Sequence, residues 1–189
     1  VTLTSADDEK VYDGTALTNS TVTAGGDGFA EGEGATYDVT GTITEVGETA
    51  NAFTYTLNEG TKADNYTITK VEGTLTVTEL TDKVTVTITE KSGSEKYDGK
   101  EKTVAGYDVK ISNELYTVDD FTFSGEATVK GTDAGSYNME LKPADFTNTN
   151  KNFKNVEFVI VDGTLEISKR TVTLTSADDE KVYDGTALT

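Results

Sequence analysis

The sequence contains no cysteine, no histidine, no tryptophan and no glutamine, and its single proline is Pro143. Without cysteine the chain can form no disulfide, no thiolate nucleophile and no sulfur-ligated zinc site. Without histidine it lacks the usual general base and the commonest transition-metal ligand. A glycosidase that works with two carboxylates stays chemically accessible, but such enzymes need a deep cleft lined by aromatic side chains. We therefore predict that the protein is not an enzyme.

Basic residues are scarce as well. The chain has 16 Lys and Arg against 34 Asp and Glu, which gives a net charge of −18. A chain this acidic repels phosphate backbones and anionic lipid headgroups, so we expect no nucleic acid and no membrane surface among its partners. No apolar run approaches the roughly 18 residues that a membrane span needs, and no signal peptide is recognisable. Membrane insertion is therefore not expected.

The most informative feature of the sequence is a repeat. The 18 residues VTLTSADDEKVYDGTALT stand at Val1–Thr18 and again at Val172–Thr189, a period of 171 residues. A weaker copy, VTVTITEKSGSEKYDG, lies between them at residues 84–99, and VEGTLTVTE at 71–79 matches VDGTLEISK at 161–169. Such self-similarity is typical of tandem arrays. We predict two related units, residues 1–81 and 82–170, and a truncated start of a third unit at residues 171–189.

Each unit has the pattern of a β structure. Thr and Val are plentiful, and apolar residues alternate with polar ones, as in Val84, Val86 and Ile88 of the second unit. Turn sequences such as AGGDG and KGTDAG interrupt the alternation at short intervals. This pattern predicts an all-β fold with two tandem Ig-like β-sandwich domains arranged end to end. The alternative is a β-grasp-like unit with one short helix, near Gly28–Ala35 in the first unit.

The tripeptide Tyr-Asp-Gly recurs once in each copy. We interpret it as a structural motif in which the tyrosine caps the core and Asp-Gly makes a tight bend. The alternative reading is a tyrosine that contacts a ligand. The motif comprises Tyr12, Asp13 and Gly14, then Tyr97, Asp98 and Gly99, then Tyr183, Asp184 and Gly185.

Carboxylates cluster in three candidate loops, SADDEK at 5–10, AGGDGFAEGEG at 24–34 and TVDDF at 117–121. None has the ligand spacing of an EF-hand loop, so we interpret them as a solvated acidic surface and predict no metal and no cofactor. Thioester and ester crosslinks both require glutamine, which the chain lacks. A Lys–Asn isopeptide crosslink stays open.

The connections between the predicted units are short. Five residues, ELTDK at 79–83, separate GTLTVT from VTVTI, and KRT at 169–171 separates GTLEIS from VTLTS. Neither connection is a flexible Gly/Ser-rich linker. We therefore expect consecutive units to be held end to end as a semi-rigid rod.

The Tyr-Asp-Gly motifs, together with NYTITKVEGTLTVT at 65–78 and NFKNVEFVIVDGTLEIS at 152–168, resemble the tandem YDG-type and MBG-type repeats of bacterial cell-surface proteins. The resemblance implies an adhesin-like stalk on the surface of a Gram-positive bacterium of the gut or mouth, anchored to the cell wall through a region outside residues 1–189. It further implies neighbouring repeats as partners, and host mucin glycoprotein or immunoglobulin as candidate ligands. The second unit has KYDGKEKTV where the first has KVYDGTALT, so unequal binding by the two units is expected.

Overall fold

The computed structural model describes residues 1–189 and is all-β, as the alternating pattern predicts. Only three 3-10 turns interrupt the strands, at Ala63–Asn65, Val118–Asp120 and Pro143–Asp145. The β-grasp alternative required a helix near Gly28–Ala35, and this prediction is wrong, because glycine-rich turns occupy that stretch. The stretch contains Gly28, Gly32 and Gly34, of which the first two have positive φ, and glycine has a low helix propensity. No helix in the structure is long and apolar enough to cross a membrane.

Residues 1–81 contain eight strands and residues 82–170 contain ten. The first set is β1 (Thr2–Ser5), β2 (Asp8–Val11), β3 (Val22–Gly25), β4 (Ala35–Val39), β5 (Gly47–Ala50), β6 (Phe53–Leu57), β7 (Thr69–Val71) and β8 (Thr74–Thr78). The second set is β9 (Val84–Glu90), β10 (Gly93–Lys96), β11 (Lys102–Ala105), β12 (Tyr107–Ile111), β13 (Phe121–Phe123), β14 (Thr128–Gly131), β15 (Gly135–Asn138), β16 (Phe146–Asn148), β17 (Val156–Val161) and β18 (Thr164–Ser168). Every strand pairing lies within one set.

The two sets have the same strand topology. Strand β1 lies between antiparallel β3 and parallel β7, and β9 lies likewise between β12 and β17. Strand β8 lies between parallel β2 and antiparallel β5, and β18 lies likewise between β10 and β15. The pairs β4–β6 and β13–β16 also correspond. The β11–β14 pair of the second unit corresponds to a single bridge, Leu17 to Ile43, in the first. Residues of the two units can therefore be equated through the sheet register.

Strand β9 shows why the alternating pattern produces these elements. Val84, Val86 and Ile88 are fully buried on one face, while Thr85 and Thr87 between them are partly exposed. Successive side chains of a strand point to opposite faces, so a Val-Thr alternation buries every second residue. Val109 of β12 and Phe158 of β17 are partly buried and pack against the same core.

The hydrophobic core does not stop at the boundary between the units. One cluster of 16 buried residues includes Tyr12, Leu17, Leu75 and Val77 of the first unit together with residues of the second. The members from the second unit are Val84, Val86, Ile88, Tyr116, Phe121, Val129, Met139, Leu141, Phe146, Phe153, Leu165 and Ile167. The two units are therefore joined by apolar packing as well as by the chain.

The closing segment Val172–Thr189 has the same sequence as Val1–Thr18 but forms no strand. Leu3 is completely buried in β1, whereas its counterpart Leu174 is 91% exposed. Strands β1 and β2 pair only with β3, β7 and β8, and residues 172–189 contain no copy of any of these three strands. Strand formation by this sequence thus depends on distant partners and not on its own propensity.

Candidate functional site at the joint between the two units

The Asp-Gly part of each repeated motif forms the same local turn. In the first copy the Asp13 carboxylate accepts hydrogen bonds from the Thr15 amide at 2.9 Å and from Lys10 Nζ at 2.7 Å, and Gly14 has φ +77°. The hydrogen bond from Lys10 lowers the pKa of Asp13 to about 2. The third copy repeats this arrangement with Asp184, Thr186, Lys181 and Gly185, whereas in the second copy the Lys100 amide and Gly99 keep the turn and the lysine on Asp98 is Lys102, four residues later. The turn therefore forms even in the closing segment, because its contacts are local.

The three tyrosines of the motif differ sharply in their surroundings. Tyr12 is 9% exposed, Tyr97 is 36% exposed and Tyr183 is 91% exposed. The backbone amide of Tyr12 donates to Thr78 O at 2.9 Å, and that of Tyr97 donates to Ser168 O at 3.0 Å, so these two tyrosines are equivalent within their units. The structure does not bring the three motifs together. Only the first of them faces another unit.

Tyr12 packs against an aromatic pair of the second unit. Its ring meets the ring of Phe153 edge to face, with centroids 5.6 Å apart, and Phe153 in turn meets Tyr116 edge to face at 5.0 Å. Edge-to-face contact is a favoured geometry for aromatic rings and contributes about 0.5–1.5 kcal/mol per pair beyond area burial. These three residues form the apolar centre of what we call the joint, the contact of the first unit's Tyr12, Glu45, Val46 and Leu80 with the second unit's Tyr116, Asn152 and Phe153.

Asn152 supplies the polar part of the joint. Its side-chain Oδ1 accepts from the Val46 amide at 2.9 Å, and its Nδ2 donates to the Glu45 carboxylate. Its backbone O accepts from the Leu80 amide at 2.8 Å, and Leu80 O accepts from the Lys154 amide at 3.0 Å. Asn152 is almost fully buried, so each of these bonds is protected from competing water. Separation of the units would leave these groups without their partners.

The rim of the joint adds two further contacts. Lys154 Nζ lies 3.7 Å from the Glu79 carboxylate across the contact. Gly14 lies beneath the Leu115 side chain, and a Cβ at this position would come within 2.9 Å of Leu115 Cδ2. The glycine of the first motif therefore serves both the turn, through its positive φ, and the close approach of the second unit.

Burial at the joint shifts the ionisation of its tyrosines. The pKa of Tyr12 is raised by burial first and then by the charges of Glu45 and Asp120. Burial and the charge of Asp120 raise the pKa of Tyr116 to about 12. Both shifts favour the neutral phenol, which is the form that packs in an apolar contact.

Alkaline pH should therefore open the joint. Below about pH 10 Tyr116 is protonated in both the folded and the unfolded chain and makes no pH-dependent contribution. Between pH 10 and 12 the unfolded chain releases this proton while the folded chain retains it, so stability falls as the pH rises. Tyrosinate absorbance between pH 9 and 12.5, with circular dichroism recorded in parallel, should show a component near pH 12 that is absent in Tyr116→Phe. An unchanged titration curve in that variant would contradict the assignment.

Sequence reasoning did not identify Glu45, Asn152 or Phe153 as residues of a site. The available signal was the repeat itself, since Asn65-Tyr66 and Asn152-Phe153 open the two matched segments that end in VEGTL and VDGTL. What the repeat could not show is that Asn152 meets a residue 106 positions earlier, Val46.

The geometry defines an all-β protein in which two sets of strands share one topology and contact each other through an aromatic and hydrogen-bonded joint. Comparison with family models finds an MBG domain at residues 84–169. The match runs from the first residue of β9 to the residue after β18 and covers less than half of the chain. No curated protein and no solved structure matches the chain. MBG domains occur in surface proteins, and the match indicates a repeat module of such a protein.

Proposed function

We propose that this chain is a non-enzymatic repeat segment of a bacterial surface adhesin and acts as a semi-rigid stalk. The observation that carries the proposal is the joint, in which Asn152 and Phe153 of the second unit contact Tyr12, Glu45 and Val46 of the first. A spacer must resist bending between its units, and this contact opposes bending by both apolar packing and directional hydrogen bonds. The match to an MBG domain supports the placement in a surface protein.

The connecting segment supports rigidity as well. Only residues 79–83 lie between the end of β8 at Thr78 and the start of β9 at Val84. Within this segment the Leu80 backbone donates to Asn152 and accepts from Lys154, which fixes the segment to the second unit. A connection this short and this constrained leaves little freedom for the units to fold back on each other. The division at residues 81 and 82 is part of the proposal.

Spin-label distances test the stalk directly. The chain has no cysteine, so two labelled cysteines at exposed positions, Thr56→Cys in β6 and Lys110→Cys in β12, give one unambiguous distance between the units. We expect a single narrow distance distribution by double electron–electron resonance, and small-angle scattering should show an elongated particle. Asn152→Ala should broaden the distribution because it removes the polar contacts of the joint. A broad distribution in the unsubstituted background, or a compact particle with the units side by side, would refute the stalk.

The alternative prediction is that each repeat binds a host molecule, mucin glycoprotein or immunoglobulin, and gains avidity through multivalency. A pull-down with these two ligands and a glycan array tests it on the same chain. Specific retention that is lost on substitution of Tyr97, the more exposed equivalent of Tyr12, would support binding through the motif. The surface location and the anchor in the cell wall belong to the same proposal and are tested by fractionation of the parent bacterium.

A further inference from the structure

The outer end of the second unit carries a concave surface that the joint does not use. We call it the Tyr97 end. It is lined by Tyr97, Asp133, Ala134, Lys169, Arg170 and Val172. Tyr97 is about one-third exposed and Val172 is largely exposed, so apolar surface is open to solvent here.

The sheet register shows that the Tyr97 end is equivalent to the surface with which the first unit contacts the second. Gly47 of β5 pairs with Val77 of β8, and Gly135 of β15 pairs with Ile167 of β18. Glu45 and Asp133 each lie two residues before these glycines, so they are equivalent. Val46 and Ala134 each lie one residue before them and are likewise equivalent. Thr78 and Ser168 are equivalent, because their carbonyls accept from the amides of Tyr12 and Tyr97. Leu80 and Arg170 each follow by two residues and are therefore equivalent. Each residue that receives Asn152 or Phe153 at the joint thus has a counterpart at the Tyr97 end.

The outer end of the first unit carries the complementary surface, which we call the Tyr66 end and define by Phe29, Asn65 and Tyr66. The rings of Phe29 and Tyr66 meet edge to face at 5.1 Å, as Tyr116 and Phe153 do at 5.0 Å. The amide of Tyr66 donates to the carbonyl three residues earlier, and so does that of Phe153. Asn65 precedes Tyr66 as Asn152 precedes Phe153, but Asn65 is exposed because no unit covers it.

The charges at these four surfaces are complementary in pairs. Lysines flank the Asn152-Phe153 pair in the sequence, Lys151 before it and Lys154 after it, and the facing surface carries Glu45 and Glu79, of which Glu79 lies 3.7 Å from Lys154. At the outer ends the net charges are reversed, because Lys169 and Arg170 replace Glu79 and Leu80, although Asp133 keeps the negative charge of Glu45. The Tyr97 end carries Lys169 and Arg170, neither of which has an ion-pair partner, whereas the Tyr66 end carries two carboxylates, Asp64 beside Asn65 and Glu33 on the Tyr66 hydroxyl. The basic Tyr97 end of the second unit therefore favours the acidic Tyr66 end of a first unit over the lysine-flanked Asn152-Phe153 end of a second unit.

We propose that the Tyr97 end binds the Tyr66 end of another copy of the first unit, and that the reversed charges enforce alternation of the two kinds of unit. The occupant is a copy of residues 1–81, whose opening 18 residues recur at Val172–Thr189. The connection at this junction, residues 169–171, is shorter than the connection at the joint, residues 79–83. Asn65 of the copy bonds the Ala134 amide and the Asp133 carboxylate, and Tyr66 covers Tyr97. The inference rests on the proposed stalk and specifies its next contact.

The test extends the chain 1–189 with residues 19–81, which completes the copy that begins at Val172. Amide hydrogen exchange measured by NMR should slow at Ala134 by more than about tenfold relative to the unextended chain, because this amide gains a buried partner. Asn65→Ala in the appended copy should abolish the slowing. The same substitution in the original first unit is the matched control and should leave Ala134 exchange unchanged, since that Asn65 faces no acceptor.

Charge reversal tests the alternation. Lys169→Glu combined with Arg170→Glu should remove the protection of Ala134 in the extended chain, and Asp64→Lys in the appended copy should restore a measurable part of it. Exchange at Val46, whose amide bonds Asn152 in the joint, distinguishes the two proposals. Unprotected Ala134 with protected Val46 in the extended chain overturns this inference and leaves the stalk intact. Loss of protection at Val46 as well overturns the stalk itself.

Discussion

Replacement of Phe153 by alanine is expected to lower the free energy of unfolding of the second unit by about 3–5 kcal/mol, the usual cost of truncating a buried phenylalanine. The ring is almost fully buried between Tyr12 of one unit and Tyr116 of the other, so its removal leaves a cavity that neither side can fill alone. Denaturant titration followed by circular dichroism measures the loss. The same variant should also free the two units to move relative to each other.

Tyr66→Ala is the matched control for this substitution. Tyr66 occupies the equivalent position in the first unit and packs against Phe29, but no neighbouring unit covers it and it is only partly buried. We expect it to cost about 1 kcal/mol, because only part of the ring surface is withdrawn from water. Equal losses for Phe153→Ala and Tyr66→Ala would show that the joint adds nothing to the stability of the second unit.

A double-mutant cycle isolates the contact across the joint. Tyr12→Ala, Phe153→Ala and the double variant should give a coupling energy of about 0.5–1.5 kcal/mol, the range measured for aromatic pairs. Phe146, which packs only against second-unit rings, provides a reference that should not couple to Tyr12. Coupling between Tyr12 and Phe146 as large as that with Phe153 would mean that the variants perturb the whole fold and not the joint.

The sequence could predict which residues face the core, because alternation reports the face of a strand directly. Val84, Val86 and Ile88 illustrate this success, since all three are fully buried. Alternation carries no information about the neighbour of a strand. The parallel pairings of β1 with β7 and of β9 with β17 were therefore not predictable, because they join residues about 70 positions apart.

The two copies of the 18-residue sequence show which structure depends on local contacts and which depends on residues far away in the chain. The Asp-Gly turn forms in both copies, since Asp13 and Asp184 each find their donors within three residues. The strands form only in the first copy, where β3, β7 and β8 supply hydrogen bonds and a face to pack on. Motif reasoning could therefore locate the turn. It could not locate the joint, which depends on what Asn152 meets across the boundary.

Glu90→Ala is expected to be the second severe change, with a loss of roughly 3–5 kcal/mol in the free energy of unfolding of the second unit. Glu90 is buried at the end of β9, and its two carboxylate oxygens accept from the Leu141 amide at 2.7 Å and the Gly163 amide at 2.8 Å. Alanine leaves both buried donors unpaired, and each costs about 1–3 kcal/mol. Gly163 is packed closely against the end of β9, since a Cβ there would lie 2.7 Å from the backbone oxygen of Glu90.

In the first unit a serine hydroxyl takes the place of the Glu90 carboxylate as the partner of the equivalent glycine amide. Ser5 Oγ accepts from the Gly73 amide at 2.9 Å and donates to Asn51 O at 2.6 Å, so Ser5→Ala orphans one donor and one acceptor instead of two donors. Glu90→Gln keeps one acceptor oxygen and should lose roughly half as much stability as Glu90→Ala. Glu166→Ala, at an exposed position of β18, should stay within about 0.5 kcal/mol of the unsubstituted chain. If Glu90→Gln were as harmless as Glu166→Ala, the two amides would not depend on the carboxylate, and the turn before β18 would owe its position to packing around Gly163 alone.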